Sequence, residues 1–110
     1  MALKFCAIAS GSSGNSVFVG TKHTKVLIDA GLSGKRIIEG LDSLNVTGET
    51  IDALFITHEH TDHIKGVGVF SRKFDIPIYA TMGTWEAMEN QIGKIAPKNK
   101  LDNVLRVAYN

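Results

Sequence analysis

The sequence predicts an α/β layered fold, in which short strands alternate with helices. The first observation is a series of short apolar runs, typical of buried strands, separated by turn-forming Gly, Ser and Asn residues. The second is that the segments between the later runs carry apolar residues at helical spacing. The third is size, because 110 residues with a hydrophobic fraction of 44% suffice for one small domain with a modest core.

The N-terminal part of the chain predicts three strands. Residues 3–9 are apolar enough for a buried strand, and residues 16–20 predict a second one. The polar segment 10–15 between them has turn chemistry throughout. It either closes a tight turn or presents its N–H groups and hydroxyls to an anion. Residues 25–30 predict the third strand.

A helix and a fourth strand follow. Ser33 is a suitable N-cap, and the helix is expected to run to about residue 44 with these apolar residues on one face: Ile37, Ile38, Leu41 and Leu44. Residues 45–50 form a polar loop, and residues 51–56 predict a strand. This strand leads directly into the most unusual segment of the chain, which is rich in histidine.

The remaining elements are a helix over residues 64–74, a short strand over 77–80, a second helix ending at residue 92 and a last strand over 104–108. Thr81 or Thr84 is expected to cap the second of these helices, and Gly93 is placed as its C-terminal stop.

The amino-acid composition excludes few classes of function. The net charge of +1 gives no argument for nucleic acid or an acidic membrane as a partner, although a local patch can still act. No apolar run approaches the about 20 residues needed to cross a membrane. The single cysteine, Cys6, cannot form an internal disulfide, which fits a reducing compartment. We therefore expect a cytoplasmic protein without membrane contact.

Three of the four histidines and an aspartate crowd into a single short segment, namely His58, His60, Asp62 and His63. Neutral imidazoles and carboxylates are the ligands of zinc and similar divalent ions. If the segment continues the strand, alternate residues point to one side, so the first three converge and His63 turns inward as a helix begins. The segment therefore predicts a metal site, and one suited to two ions.

The alternative for this segment is a polar surface turn, and the preceding apolar strand argues against it. The zincin pattern His-Glu-x-x-His is excluded, because Asp62 stands where its second histidine belongs. His23, alone in a polar turn, is expected to be a solvated hairpin residue and not a ligand.

With these motifs in place, the chain resembles the metallo-β-lactamase superfamily, and within it the YycJ/WalJ-type hydrolases. Residues 9–16, 28–31, 57–66 and 83–85 carry the resemblance. It implies that His58 and His60 hold one metal ion, and that Asp62 and His63 hold a second. It further implies that Asp29 orients the ligand loop without binding metal, as a carboxylate partner of histidine ligands does.

The sequence departs from the family downstream. The family completes its site with a further histidine, a bridging aspartate and a last histidine, whereas this chain has no histidine after His63. Its later aspartates, Asp75 and Asp102, lack the family's surrounding context. We therefore expect residues 1–110 to form a partial domain, the N-terminal half of an αββα sandwich.

The resemblance implies a metal-dependent hydrolase in which two divalent ions activate a water, with Asp62 as the catalytic residue among the ligands. Zinc is the first expectation, and manganese or iron are alternatives. The subgroup implies DNA or another phosphodiester as substrate. One alternative is a hydrolase of thioesters, lactones or lactams. Another is a catalytically silent chain that only folds, binds metal weakly or self-associates through an exposed sheet face.

Overall fold

The computed structural model describes residues 3–102 as one mixed sheet with helices packed against it. In chain order the elements are β1 (Lys4–Ala9), β2 (Ser16–Gly20), β3 (Lys25–Ile28), α1 (Gly34–Asp42), β4 (Ala53–Phe55), α2 (Thr61–Ile64), α3 (Val67–Phe74), β5 (Ile78–Tyr79), α4 (Met82–Ile92) and β6 (Lys100–Leu101). Short 3-10 turns lie at Gly48–Thr50 and Pro97–Asn99.

The six strands lie side by side in chain order. β1, β2 and β3 are antiparallel neighbours, and from β3 to β6 each neighbouring pair is parallel. Each parallel pair is joined by a crossover that contains a helix, because parallel strands cannot be joined by a tight hairpin. The carboxyl ends of β3, β4, β5 and β6 consequently lie along the same edge of the sheet, which is where α/β proteins build binding sites.

The central part of one face of the sheet is buried. Four residues that are neighbours across the strands line it, each at most 1% exposed: Phe18, Leu27, Leu54 and Ile78. The helices contribute to the same cluster with Ile37, Leu41, Phe70 and Met88. Each such side chain stabilises the fold by about 1.5–3 kcal/mol through burial. The helices therefore cover this face of the sheet and hold the strand ends in place.

The helix caps agree with the sequence prediction. The hydroxyl of Ser33 accepts a hydrogen bond from the backbone N–H of Arg36, at 3.3 Å, and begins α1. Thr81, and not Thr84, is the N-cap of α4, and Gly93 ends that helix with φ of 80°. No helix within residues 3–102 has the length and apolar character that crossing a membrane requires.

Several element boundaries differ from the prediction by one or two residues, and three differences change an element itself or its end at the site. β3 ends at Ile28, two residues early, because Asp29 adopts a left-handed conformation that a strand cannot continue. The helix predicted over residues 64–74 is two helices. α2 begins at Thr61, and the helical conformation is interrupted at Gly66 before α3 begins. β6 was not predicted, and the strand predicted over residues 104–108 lies outside the described residues.

The prediction that the first strand is buried is wrong. Phe5 is 70% exposed, and alternating strand residues on its side of the sheet, such as Val19, Val26 and Phe55, are only half-buried. β1 is an edge strand, and within residues 3–102 no second layer covers this face. Apolarity alone predicted burial, but burial also requires a partner surface.

Candidate metal centre

The site is built where β3 and β4 end side by side. Ile28 is the register partner of Phe55 in this parallel pair, so the residues that follow each strand meet at the sheet edge. The backbone N–H of Asp29 donates to the carbonyl of Phe55 at 2.7 Å. Asp29 has a φ of 63°, a conformation that Asp tolerates better than most residues. This turn directs its carboxylate toward the residues after β4.

The carboxylate of Asp29 organises the histidine segment. Its Oδ1 accepts from the backbone N–H of Thr57 at 2.8 Å. Its Oδ2 accepts from the hydroxyl of Thr57 at 2.6 Å and from Nδ1 of His63 at 2.7 Å. Asp29 is only 5% exposed, so water competes little for these bonds. Asp29 thus contacts both the start and the end of the segment 57–63, and its orienting role stays a prediction.

These hydrogen bonds determine the tautomers of two imidazoles. A carboxylate only accepts, so Nδ1 of His63 carries a proton, and in the neutral ring Nε2 then presents a lone pair. The hydroxyl proton of Thr57 is donated to Asp29, so Thr57 Oγ1 accepts from Nδ1 of His58, 3.1 Å away. His58 therefore also presents Nε2 as an acceptor. A lone pair on a ring nitrogen is what a metal ion requires.

The three predicted histidines lie together. The ring centroids of His58 and His63 are 3.7 Å apart, and those of His58 and His60 are 4.8 Å apart. The expected route to this cluster was wrong, however. β4 ends at Phe55 and α2 begins at Thr61, so strand alternation does not align Asp62 with the first two histidines. Asp62 lies instead beside His63.

The donor set fits part of a metal site. Oδ2 of Asp62 and Nε2 of His63 are 3.5 Å apart, and two ligands of a tetrahedral zinc ion are separated by about 3.4 Å. Within residues 3–102, no three His, Cys, Asp or Glu side chains are arranged to hold one ion together. The donors thus match divalent-ion chemistry in kind and in one pair separation, without forming a complete ligand shell.

Sequence reasoning missed Asn15 as a residue of this site. The side-chain Nδ2 of Asn15 lies 2.9 Å from Oδ2 of Asp62, and its backbone N–H donates to the carbonyl of Asp62 at 2.7 Å. The sequence predicts either a tight turn or an anion site for the loop 10–15. The structure shows this loop hydrogen-bonded to Asp62 of the histidine segment through Asn15. The position of Asn at the end of that loop was the available signal.

Ser16, Gly31 and Thr57 are the other residues whose part in the site the sequence did not predict. A Cβ on Gly31 would lie 1.7 Å from the carbonyl oxygen of Asp62, so only glycine permits the two loops to approach this closely. Ser16 supports the same corner, because its buried hydroxyl donates to the carbonyl of Asp29 at 2.8 Å. The site therefore depends on three loops and not on the histidine segment alone.

The residues set apart by the sequence prediction lie elsewhere. His23 is exposed in the turn between β2 and β3, at the opposite end of β3 from Asp29. Asp75 ends α3, where it accepts hydrogen bonds from Lys98 at 2.8 Å and Asn99 at 2.9 Å. The first of these bonds is the main cause that holds the pKa of Asp75 below its ordinary value. Asp75 thus has a structural role.

The chain is similar to several known proteins over most of its length. The chain is 50% identical over 99 residues to the exodeoxyribonuclease WalJ of Streptococcus pneumoniae, covering 88% of this chain and 37% of WalJ. It is 47% identical over 100 residues to the exodeoxyribonuclease YycJ of Bacillus anthracis, covering 91% of this chain and 38% of YycJ. It is also 34% identical over 91 residues to hydroxyacylglutathione hydrolase 1 of Vibrio vulnificus, covering 78% of this chain and 35% of that protein.

Solved structures give the same fold. A metallo-beta-lactamase of Cronobacter sakazakii superposes with a TM-score of 0.65 at 22% identity, covering 76% of this chain and 33% of that one. The chain therefore spans well under half the length of the relatives it matches. The family model described as the metallo-beta-lactamase superfamily matches residues 9–106. The chain belongs to the metallo-beta-lactamase superfamily.

Proposed function

We propose that the protein is a metal-dependent phosphodiesterase that degrades DNA as an exonuclease. The observation that carries this proposal is the 50% identity to a protein named as an exodeoxyribonuclease, over a stretch that includes the donor segment and its supporting loops. The contacts of Asp29 with Thr57 and His63 support it, because they present imidazole lone pairs for an ion.

In this proposal His58 and His60 hold one divalent ion, and Asp62 and His63 hold a second, with the remaining ligands supplied from outside residues 3–102. Bound divalent ions of this kind lower the pKa of a water and stabilise charge on a phosphoryl oxygen. The protein's own residues keep the imidazoles in the metal-binding tautomer. Zinc suits the imidazole-rich set, and manganese or iron are the alternatives.

The test uses the complete protein that the gene encodes and end-labelled single- and double-stranded DNA. We expect shortening from the ends that stops with a chelator and returns with zinc or manganese. His60→Ala should abolish cleavage. His23→Ala is the matched control, because it removes an exposed histidine at the other end of β3 and should leave cleavage unchanged. Cleavage by the His60 variant at the wild-type rate would refute the assignment.

A second candidate is a hydrolase of carbonyl substrates such as thioesters, lactones or lactams. The identity of 34% to a protein named hydroxyacylglutathione hydrolase favours it. The same two-ion chemistry serves a carbonyl as well as a phosphoryl oxygen. Assaying one preparation against DNA and against an acyl-glutathione thioester separates the two candidates, since activity on the thioester alone would overturn the nuclease proposal.

For the 110-residue chain by itself we propose folding and self-association without catalysis. The half-exposed apolar face that includes Phe5, Val19, Val26 and Phe55 supports this, because apolar patches on a sheet mark surfaces that need a partner. A monomer holding two tightly bound ions in sedimentation and metal analysis would contradict it. The single cysteine supports a reducing, cytoplasmic compartment for the protein.

A further inference from the structure

Within residues 3–102, Asn15 is the only residue of the β1–β2 loop whose side chain hydrogen-bonds to the histidine segment, residues 58–63. Its Nδ2 lies 2.9 Å from Oδ2 of Asp62, 3.2 Å from the carbonyl oxygen of Asp62 and 3.3 Å from Nε2 of His63. The two residues it touches are the ones assigned to the second metal ion.

The orientation of this amide is determined by its own loop. The backbone N–H of Gly11 donates to Oδ1 of Asn15 at 3.1 Å, and Nδ2 donates back to the carbonyl of Gly11 at 2.8 Å. An amide turned over would face a donor with a donor and an acceptor with an acceptor. The carbonyl of Asn15 also accepts from the N–H of Gly31 at 2.9 Å. Nδ2, a pure donor, is therefore held toward Asp62.

In the neutral ring, Nε2 of His63 can accept a hydrogen bond from the side-chain amide of Asn15. Its Nδ1 proton is bonded to Asp29 at 2.7 Å, so Nε2 carries the lone pair. One N–H of Asn15 Nδ2 is donated to the carbonyl of Gly11, so the other faces both Oδ2 of Asp62 and Nε2 of His63. The separation of 3.5 Å between these two acceptors is close to that of two ligands on one tetrahedral ion. Two acceptors this close repel each other unless a donor or a cation lies between or beside them.

We propose that Asn15 is a positioning residue whose side-chain amide holds the carboxylate of Asp62 beside Nε2 of His63, at a metal-ready separation, before the ion arrives. This inference rests on the proposed function, in which these two residues bind an ion. Without the amide, the carboxylate of Asp62 loses its side-chain donor and turns toward water. The ion must then restore the geometry when it binds, which weakens binding.

The experiment measures zinc binding to the 110-residue chain by competition with a chromophoric chelator. Removal of residues that orient metal ligands usually costs about 10- to 100-fold in affinity. We expect Asn15→Ala and Asn15→Leu to weaken binding by about that factor. Ser13→Ala, an exposed residue of the same loop, should stay within about twofold of wild type. Folded Asn15 variants that bind zinc as wild type does would overturn the proposal.

A second measurement needs no metal and separates this inference from the proposed function. In the metal-free chain, the two side-chain amide protons of Asn15 should give well-separated, slowly exchanging NMR signals. Asp62→Ala should move the signal of the proton that faces it and speed its exchange, while Asp42→Ala, an exposed residue of α1, should not. Signals like those of a free surface amide would overturn the proposal even if zinc binds. Separated signals that respond to Asp62→Ala support it even if zinc does not bind.

Discussion

Asp29→Asn is the sharpest test of how this site is organised, because it changes one atom and leaves the shape intact. Asn adopts the left-handed conformation at φ of 63° as readily as Asp, so the turn should persist. The introduced amide oxygen can still accept from the N–H of Thr57. Its nitrogen, however, would face Nδ1 of His63 and the hydroxyl of Thr57, both of which now donate to this position.

The expected consequence is a reversal of the proton arrangement. The introduced nitrogen must donate, so His63 accepts on Nδ1 and moves its proton to Nε2. The hydroxyl of Thr57 then accepts from the amide and donates to Nδ1 of His58, which moves that proton to Nε2 as well. Both metal-facing nitrogens would become N–H groups. The fold would survive, and the lone pairs would be lost.

The magnitude follows from the cost of undoing this reversal when an ion binds. Restoring Nδ1–H on His63 would place two donors against each other in a site where His63 is 17% exposed and Asp29 is 7% exposed at the side chain. An unsatisfied buried donor costs about 1–3 kcal/mol, which is about 5- to 150-fold in affinity. We therefore expect zinc affinity to fall by about 10- to 100-fold.

The assay is long-range proton–nitrogen correlation NMR at about pH 8, where an ordinary imidazole is neutral, combined with chelator competition for zinc. Wild type should show the Nδ1–H tautomer at His58 and His63, and the variant the Nε2–H tautomer at both. Asp42→Asn, on the exposed face of α1, is the control and should change neither measurement. A variant that keeps Nδ1–H on His63 and binds zinc within about twofold of wild type would refute the reasoning.

Three further predictions test the rest of the fold. Gly31→Ala should lower the free energy of unfolding by about 1–3 kcal/mol and weaken zinc binding, because the added Cβ would clash with the backbone carbonyl oxygen of Asp62. Gly83→Ala is the control in the same denaturant titration and should not lower stability, since the space around Gly83 is open. Phe5→Lys should shift sedimentation of the 110-residue chain toward monomer, whereas Met82→Lys, equally exposed but on α4, should leave it unchanged. Asp75→Asn should make the free energy of unfolding fall less between neutral and acid pH. The Asp75 carboxyl, whose pKa is lowered, stabilises the fold above its ordinary pKa of 3.8 and loses that contribution as the pH falls through the lowered pKa. Equal acid sensitivity of the wild type and the variant would contradict this.

Most of the fold could be predicted from local pattern because each signal has a local cause. Ser33, Thr81 and Gly93 act through their own backbone neighbours, and the structure has all three in the predicted roles. The burial of β1 could not be predicted, because the same apolar residues serve a covered or an uncovered face. The early end of β3 could not be predicted from local sequence either. The left-handed conformation of Asp29 is stabilised by groups distant in the chain, such as the hydroxyl of Ser16.

The candidate site divides in the same way. The histidine segment was visible because its donors are consecutive, and Asp29 became visible through the family resemblance. Asn15 and Thr57 were not visible as functional residues, because their roles depend on contacts that no local spacing reveals. Asn15 reaches a partner 47 residues away, and Thr57 matters only through Asp29. Residues proposed to bind an ion can be recognised from their donor chemistry, whereas residues that orient them can be recognised only from the fold.

This division explains how a chain that covers 37% of its relative WalJ can contain an ordered part of the proposed metal site. The groups that orient His58, Asp62 and His63 all come from strand ends and loops within residues 3–102. Their hydrogen bonds join groups of the sheet edge to one another. In the proposed site, further ligands from outside residues 3–102 would join donors that are already oriented. Those further ligands would complete the coordination shell of the ion without having to orient the other donors. The zinc affinity of the 110-residue chain should therefore depend on Asn15 and Asp29 as strongly as that of the complete protein.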